Sequence, residues 1–233
     1  MRLNLLAALN AERDERRAAV VVTDIASGAQ RLVRAVDASS DPLRDVLTER
    51  LLSGKSGMAE AGGAKYFLTV QLPPPRLVIT GAVHISQALA PMARLLGYDV
   101  AIIDPRTAFA TTERFPGVDV IAAWPDQALP KLHLDPATAF VALTHDPKID
   151  EPALMAALTS DVAYVGAIGS HRAQADRRAR LTAGGLAGDR LARLHAPIGL
   201  DLGGREPAEI GLAIVAELVA ARHGRTGGPM RDR

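Results

Sequence analysis

Cysteine is absent from the 233 residues, and aromatic residues make up only 3% of them. Without a thiol, the chain can form no disulfide, hold no iron–sulfur cluster or thiolate-bound metal, and carry no persulfide. The scarcity of aromatic rings and a formal net charge of +1 argue against nucleic acid or an anionic membrane as the main partner. No signal-peptide core and no apolar run near the ~20 residues of a membrane span are present. A cytoplasmic protein is therefore expected.

The first 72 residues predict a small α+β N-terminal domain. Two β-branched apolar segments on either side of Gly28 indicate a hairpin. Three consecutive prolines starting at Pro73 form a stiff segment, and we place the domain boundary there. The elements expected before this boundary are helices over 3–15 and 42–53, and strands over 18–25, 30–36 and 65–72.

From residue 76 the pattern changes to alternating strands and helices, which is typical of a parallel sheet with right-handed crossovers. The fold class is therefore α/β, with a Rossmann-like domain over 76–223 and a flexible tail over 224–233. Strands are expected over 76–80, 99–103, 118–122, 138–143 and 162–166. The expected helices cover 84–96, 150–159, 171–183 and 207–222, with shorter ones near 107–112, 125–129 and 188–194.

The turn after the strand 76–80 is similar to the opening of a dinucleotide-binding unit. Gly81 permits the tight turn, but Val83 occupies the position of the second fingerprint glycine, where its side chain should push a diphosphate outward. Asp104 is near the position of the ribose-binding acid, or is simply a cap before Pro105. Arg106 could hold a phosphate or pair with Asp104.

Other polar residues follow the fourth and fifth strands, and in an open α/β sheet such strand ends converge on one edge. His145 beside Asp146 could transfer a proton or hold a ligand, or be part of an ordinary loop. Ser170 could cap a helix or help to form an anion site. The histidines lack metal-ligand spacing, so no metal ligand and no catalytic residue is assigned. The candidate cofactor-binding residues are Gly81, Val83, His84, Ile85, Asp104, Arg106, Thr144, His145, Asp146, Gly169, Ser170 and His171.

Several ordered motifs over residues 76–222 resemble those of the XdhC/CoxI family, the accessory factors of xanthine dehydrogenase and related molybdenum hydroxylases. The motifs are the segments 81–90, 104–111, 113–116, 144–147, 164–170 and 197–203. The resemblance implies a Rossmann-like domain that binds the molybdenum cofactor (molybdopterin), protects it during sulfuration and delivers it to the apo-enzyme. It implies a non-catalytic chaperone and a homodimer whose partners are an apo xanthine dehydrogenase-type enzyme and a cysteine desulfurase.

The chain departs from the family pattern in two respects. Members commonly have Gly-x-Gly-His in the first turn, where this chain has Gly81-Ala82-Val83-His84. Longer members carry a cysteine-bearing N-terminal domain, so this cysteine-free chain is not expected to transfer sulfur itself. Two alternatives stay open: an NAD(P)-binding oxidoreductase, and a degenerate interaction module that has lost its ligand. The loop 195–205 is a candidate for closing over the site.

Overall fold

The computed structural model describes residues 3–232 and divides the chain into two compact units, one up to Pro74 and the other from Pro75 onward. Residues 1, 2 and 233, which belong to the expected N-terminal domain and tail, lie outside the described range. The fold class is confirmed: a small antiparallel sheet with helices precedes a six-stranded parallel sheet. Among the described residues, no helix has both the length and the apolar character needed to cross a membrane.

The first unit is a four-stranded antiparallel sheet in the order β2-β1-β4-β3. Alternation along β1 and β4 gives the sheet a buried face, on which Val20, Val22 and Leu68 pack with Leu47 of the second helix. The elements of this unit are α1 (Leu3–Asp14), β1 (Ala19–Asp24), β2 (Gln30–Arg34), α2 (Arg44–Ser53), β3 (Gly57–Ala61) and β4 (Ala64–Gln71).

The second unit is a doubly covered parallel sheet in the order β10-β9-β8-β5-β6-β7. Its central strands are buried on both faces, because helices pack on each side, and they are accordingly almost uniformly apolar. Its elements are β5 (Arg76–Thr80), α3 (His84–Leu95), β6 (Asp99–Ile103), β7 (Asp119–Ile121), α4 (Pro125–Leu132), β8 (Thr138–Ala142), α5 (Pro147–Thr159), β9 (Tyr164–Ala167), α6 (His171–Ala183), α7 (Gly188–Ala192), β10 (Leu194–His195) and α8 (Pro207–Arg222).

Four expectations about individual elements need correction. The strand β3 was not predicted, and the two-residue strand β10 was also missed. The helix expected near 107–112 is instead a series of turns. The helix α5 begins at Pro147 rather than at residue 150, because Asp146 caps it and a proline is well tolerated at the first helical position.

Candidate functional site

The strand order brings the predicted site residues together at one edge of the sheet. The strands β9, β8, β5 and β6 are consecutive neighbours and run parallel, so the turns at their carboxyl ends form one row. The twelve candidate residues lie in this row, in the turns 81–85, 104–106, 144–146 and 169–171. We call this row the carboxyl edge.

The turn after β5 is held tightly against the turn after β8. Gly81 has a φ of 110°, and a Cβ atom there would lie 2.9 Å from Thr144 Cγ2 and 3.2 Å from the backbone of Leu143. The buried hydroxyl of Ser86 donates to the Gly81 carbonyl. The glycine is therefore required both by its backbone conformation and by the close approach of a neighbouring strand end.

Val83 and the first turn of α3 leave helix amide groups available. Val83 precedes the helix with an extended backbone and makes no side-chain cap, and the first turn contains no acidic residue. The side chains of Val83 and Ile85 pack against the apolar core, whereas His84 is exposed. Uncapped amides at the positive end of a helix dipole favour an anion.

Asp104 is fully buried, and its two oxygens are occupied by neighbours. They accept the Ala82 amide at 2.8 Å, and the Arg106 backbone amide, Nε and Nη2 at 2.9, 2.9 and 2.8 Å. Burial acts to raise the pKa of Asp104, but the hydrogen bonds from Arg106 and Ala82 outweigh it and hold the pKa below its usual value. Asp104 thus fixes the first turn and orients Arg106, and its carboxylate is not presented to solvent.

The turn after β8 is held by a buried acid that the sequence analysis missed. Asp150, on α5, accepts the Thr144 hydroxyl at 2.7 Å and the His145 amide at 3.1 Å. His145 has a φ of 62° and an exposed side chain. Asp146 accepts the Lys148 amide at 2.9 Å and so caps α5. The imidazole is therefore presented on a backbone fixed from below.

Asp150 also links this turn to the turn after β9. Arg177, only 7% exposed, lies 3.7 Å from Asp150 and donates to the Ile168 carbonyl at 3.0 Å. Burial raises the pKa of Asp150, while the Thr144 hydroxyl and the Arg177 charge oppose that rise. Gln174 completes the network by accepting from Arg177 at 2.6 Å. Asp150 comes four residues after the cap Asp146, one helical turn, and this spacing was the only available sequence signal.

The turn after β9 begins the helix α6. Gly169 has a φ of 138°, and a Cβ atom there would lie 2.8 Å from Gln174 Nε2. The Ser170 hydroxyl accepts the Ala173 amide at 3.3 Å, so its role as a cap is observed. His171 is exposed at the first position of the helix.

A further polar cluster anchors the start of the candidate closing loop. Glu217, on α8, contacts His195 Nδ1 at 2.8 Å and accepts the Gly199 amide at 2.5 Å. Burial acts to raise the pKa of Glu217, but these two contacts hold it below its usual value. The ring of Tyr164 packs 4.4 Å from that of His195. Residues 195–199 are therefore tied to α8.

The arrangement can hold an anion. The uncapped amides of α3, the amides behind Ser170 and the guanidinium of Arg106 are all donors at the carboxyl edge. Within residues 3–232, no group of three or more His, Asp or Glu side chains could hold a metal ion.

Comparisons with known proteins identify the second unit. The family profile described as the XdhC Rossmann domain matches residues 77–218, which is more than half of the chain. The crystal structure of a xanthine dehydrogenase from Bacillus halodurans matches with a TM-score of 0.67 and 22% identity, over 95% of this chain and 66% of that one. At this identity the structural likeness shows the fold.

Three curated relatives match at the sequence level. The uncharacterized protein YqeB of Escherichia coli K12 is 31% identical over 74% of this chain and 32% of its own length. A probable xanthine dehydrogenase component of Bacillus subtilis 168 is 32% identical over 64% of this chain and 44% of its own. The molybdenum cofactor insertion chaperone PaoD of E. coli K12 is 29% identical over 64% of this chain and 41% of its own. The chain thus spans less than half the length of these relatives.

Proposed function

This chain belongs to the XdhC family, and from that premise we propose that it is an accessory factor that binds the molybdenum cofactor and delivers it to a xanthine dehydrogenase-type hydroxylase. The relative PaoD carries the name of a cofactor insertion chaperone, which supports this role. The observation that carries the proposal is the carboxyl edge itself. It lies within the matched region and presents uncapped helix amides beside an arginine.

The residues at the carboxyl edge suit the phosphate of the molybdenum cofactor. The amides of His84 and Ile85, in the uncapped first turn of α3, would accept this anion because helix amides and the helix dipole both favour negative charge. Arg106 would donate to the same group. The amides behind Ser170 provide a second anion position along the row. These contacts bind and orient the cofactor as cargo, and no turnover by this chain is required.

The alternative of an NAD(P)-binding oxidoreductase has less support from the geometry. A nicotinamide dinucleotide needs an exposed acid after the second strand to bind its ribose hydroxyls. Asp104 occupies that position but is fully buried and bonded to Ala82 and Arg106. We propose further that the chain acts in the cytoplasm as a homodimer and that a cysteine desulfurase assists it, as the family resemblance implies.

Equilibrium binding of purified molybdenum cofactor to the protein tests the proposal. We expect saturable binding at micromolar concentrations, and transfer that restores activity to an apo xanthine dehydrogenase-type enzyme. The absence of binding, both by the chain alone and with the apo-enzyme, would refute the role. Saturable NADH binding with hydride transfer would instead favour the oxidoreductase.

A matched glycine pair gives this experiment a control. Gly169→Ala would place a Cβ 2.8 Å from Gln174, and we expect weaker cofactor binding because the turn after β9 must shift. Gly185→Ala changes a glycine at the other end of α6, with a φ of 94° and no atom within 4 Å. This control variant should bind cofactor as the wild type does.

A further inference from the structure

The segment 104–116 folds into a basic and aromatic cluster beside the first turn of the carboxyl edge. It contains Arg106, Phe109 and Arg114, which belong to the motifs quoted above but had no role beyond the one considered for Arg106. The guanidinium carbons of Arg106 and Arg114 lie 4.8 and 5.5 Å from the centroid of the Phe109 ring. The ring itself is 44% exposed, so the cluster reaches the surface.

This cluster is bonded directly to the turn that begins α3. The Ala82 amide donates to Asp104 at 2.8 Å, and Asp104 in turn holds Arg106. On the other side, Arg114 Nη1 donates to the Ala82 carbonyl at 2.9 Å. One residue of the turn is thus fixed by both arginine systems, and a ligand at this turn would lie beside both guanidinium groups.

The two arginines differ in net charge. Arg106 forms a side-on pair with Asp104 through Nε and Nη2, and the pKa of Arg106 is raised by this partner, so the pair as a whole is neutral. Arg114 is held by neutral acceptors: the carbonyls of Ala82 and Phe109 and the side-chain oxygen of Gln87. No carboxylate among residues 3–232 forms an ion pair with Arg114. Arg114 therefore brings an uncompensated positive charge to the turn.

Both arginines retain hydrogen-bond donors for a ligand. A guanidinium has five N–H groups. Asp104 takes one from Nε and one from Nη2 of Arg106, which leaves Nη1 for another acceptor, and this side chain is 37% exposed. The three acceptors around Arg114 leave its Nε and one Nη2 hydrogen. Planar guanidinium groups with free donors suit the oxygens of a phosphate.

We propose that Arg106, Phe109 and Arg114 form a subsite for the phosphate group of a phosphorylated heterocycle. Arg114 supplies the net charge, and Arg106 supplies directed hydrogen bonds while stacked on Phe109. The inference deepens the proposed function, on which it rests, because it states which residues recognise the charged end of the cargo. The phosphate could belong to the molybdenum cofactor, to a nucleotide form of that cofactor, or to NADPH.

The test is calorimetric titration of the full chain and its variants with each of these three ligands and with NADH. Arg114→Gln removes the uncompensated charge and should weaken binding of the phosphorylated ligand at least tenfold, which corresponds to about 1.4 kcal/mol. Arg114→Lys keeps the charge without the planar fork and should bind with intermediate affinity. Melting temperatures establish that the variants are folded, and Arg114→Lys is used if Arg114→Gln is not.

Arg94 provides a matched control. It also donates to a backbone carbonyl, that of Pro116, but it lies in the last turn of α3. Ten residues along a helix separate it from His84 by about 15 Å, beyond the screening length of about 8 Å at physiological salt. Arg94→Gln should therefore change affinity by less than about twofold.

The outcomes separate this subsite from the proposed function. If the wild type binds cofactor and Arg114→Gln binds it equally well, the subsite is wrong while the chaperone role stands. If the wild type ignores the cofactor but binds NADPH in an Arg114-dependent manner, the subsite stands and the chaperone role fails. Equal losses in the Arg94→Gln and Arg114→Gln variants, or no binding of any phosphorylated ligand by the wild type, would overturn the subsite.

Discussion

Replacing Gly81 with alanine tests how the carboxyl edge is assembled. At a φ of 110° an alanine is strained, at a cost of about 1–3 kcal/mol. Its Cβ would also lie 2.9 Å from Thr144 Cγ2 and 3.2 Å from the Leu143 backbone, which cannot move aside cheaply. Overpacking of this kind adds about 1–3 kcal/mol. The free energy of unfolding should therefore fall by about 2–5 kcal/mol in total.

Gly97→Ala is the matched control, because Gly97 follows the same helix α3. It has a φ of 83° and no atom within 4 Å, so only the conformational cost of about 1–2 kcal/mol applies. Urea unfolding of both variants gives the comparison, and melting temperatures should fall by about 2–4 °C per kcal/mol. Equal destabilisation of the two variants would refute the inference that the end of β8 presses on the Gly81 turn.

Three further substitutions test the polar contacts of the second unit. The lowered pKa of Asp104 contributes stability that is complete above the unfolded value of about 3.9 and lost as pH falls through the folded value, so Asp104→Asn should lose less stability than wild type between pH 7 and pH 3 in urea unfolding. Equal losses would contradict an ionised, bonded Asp104. Asp150→Ala leaves Arg177 buried without its partner and should cost about 3–5 kcal/mol in the same assay; a cost under about 1 kcal/mol would refute the buried pair. Glu217→Ala should speed amide hydrogen exchange at Gly199, whose amide loses its acceptor, and unchanged exchange would show that this contact does not anchor the loop.

The strong periodic segments of the second unit were predictable because burial on both sheet faces imposes long apolar runs. The strands 76–80 and 99–103 and the helices 171–183 and 207–222 have the predicted bounds. The strand β3 was missed because Gly57-Met-Ala-Glu-Ala has no β-branched residue, and its conformation comes from pairing with β4. The turns at 107–112 were read as a helix, although Arg106 and Arg114 bond to the backbone around Phe109.

The sequence located the carboxyl edge but not the contacts that support it. Each turn was recognisable from glycine or polar residues after an apolar strand. The fates of Asp104 and Asp150 depend on contacts with residues far along the chain, such as Ala82 and Arg177, and local spacing carries no record of these. Arg114 was noticed as part of a motif, but its hydrogen bond to the Ala82 carbonyl spans 32 residues and required the fold.

Binding of purified molybdenum cofactor to the wild-type chain, followed by calorimetry, tests the central claim most directly. We predict saturable binding at micromolar concentrations, weakened at least tenfold by Arg114→Gln and left within about twofold by Arg94→Gln. A chain that gives no binding heat with the cofactor at tens of micromolar, both alone and with an apo xanthine dehydrogenase-type enzyme, would contradict the account.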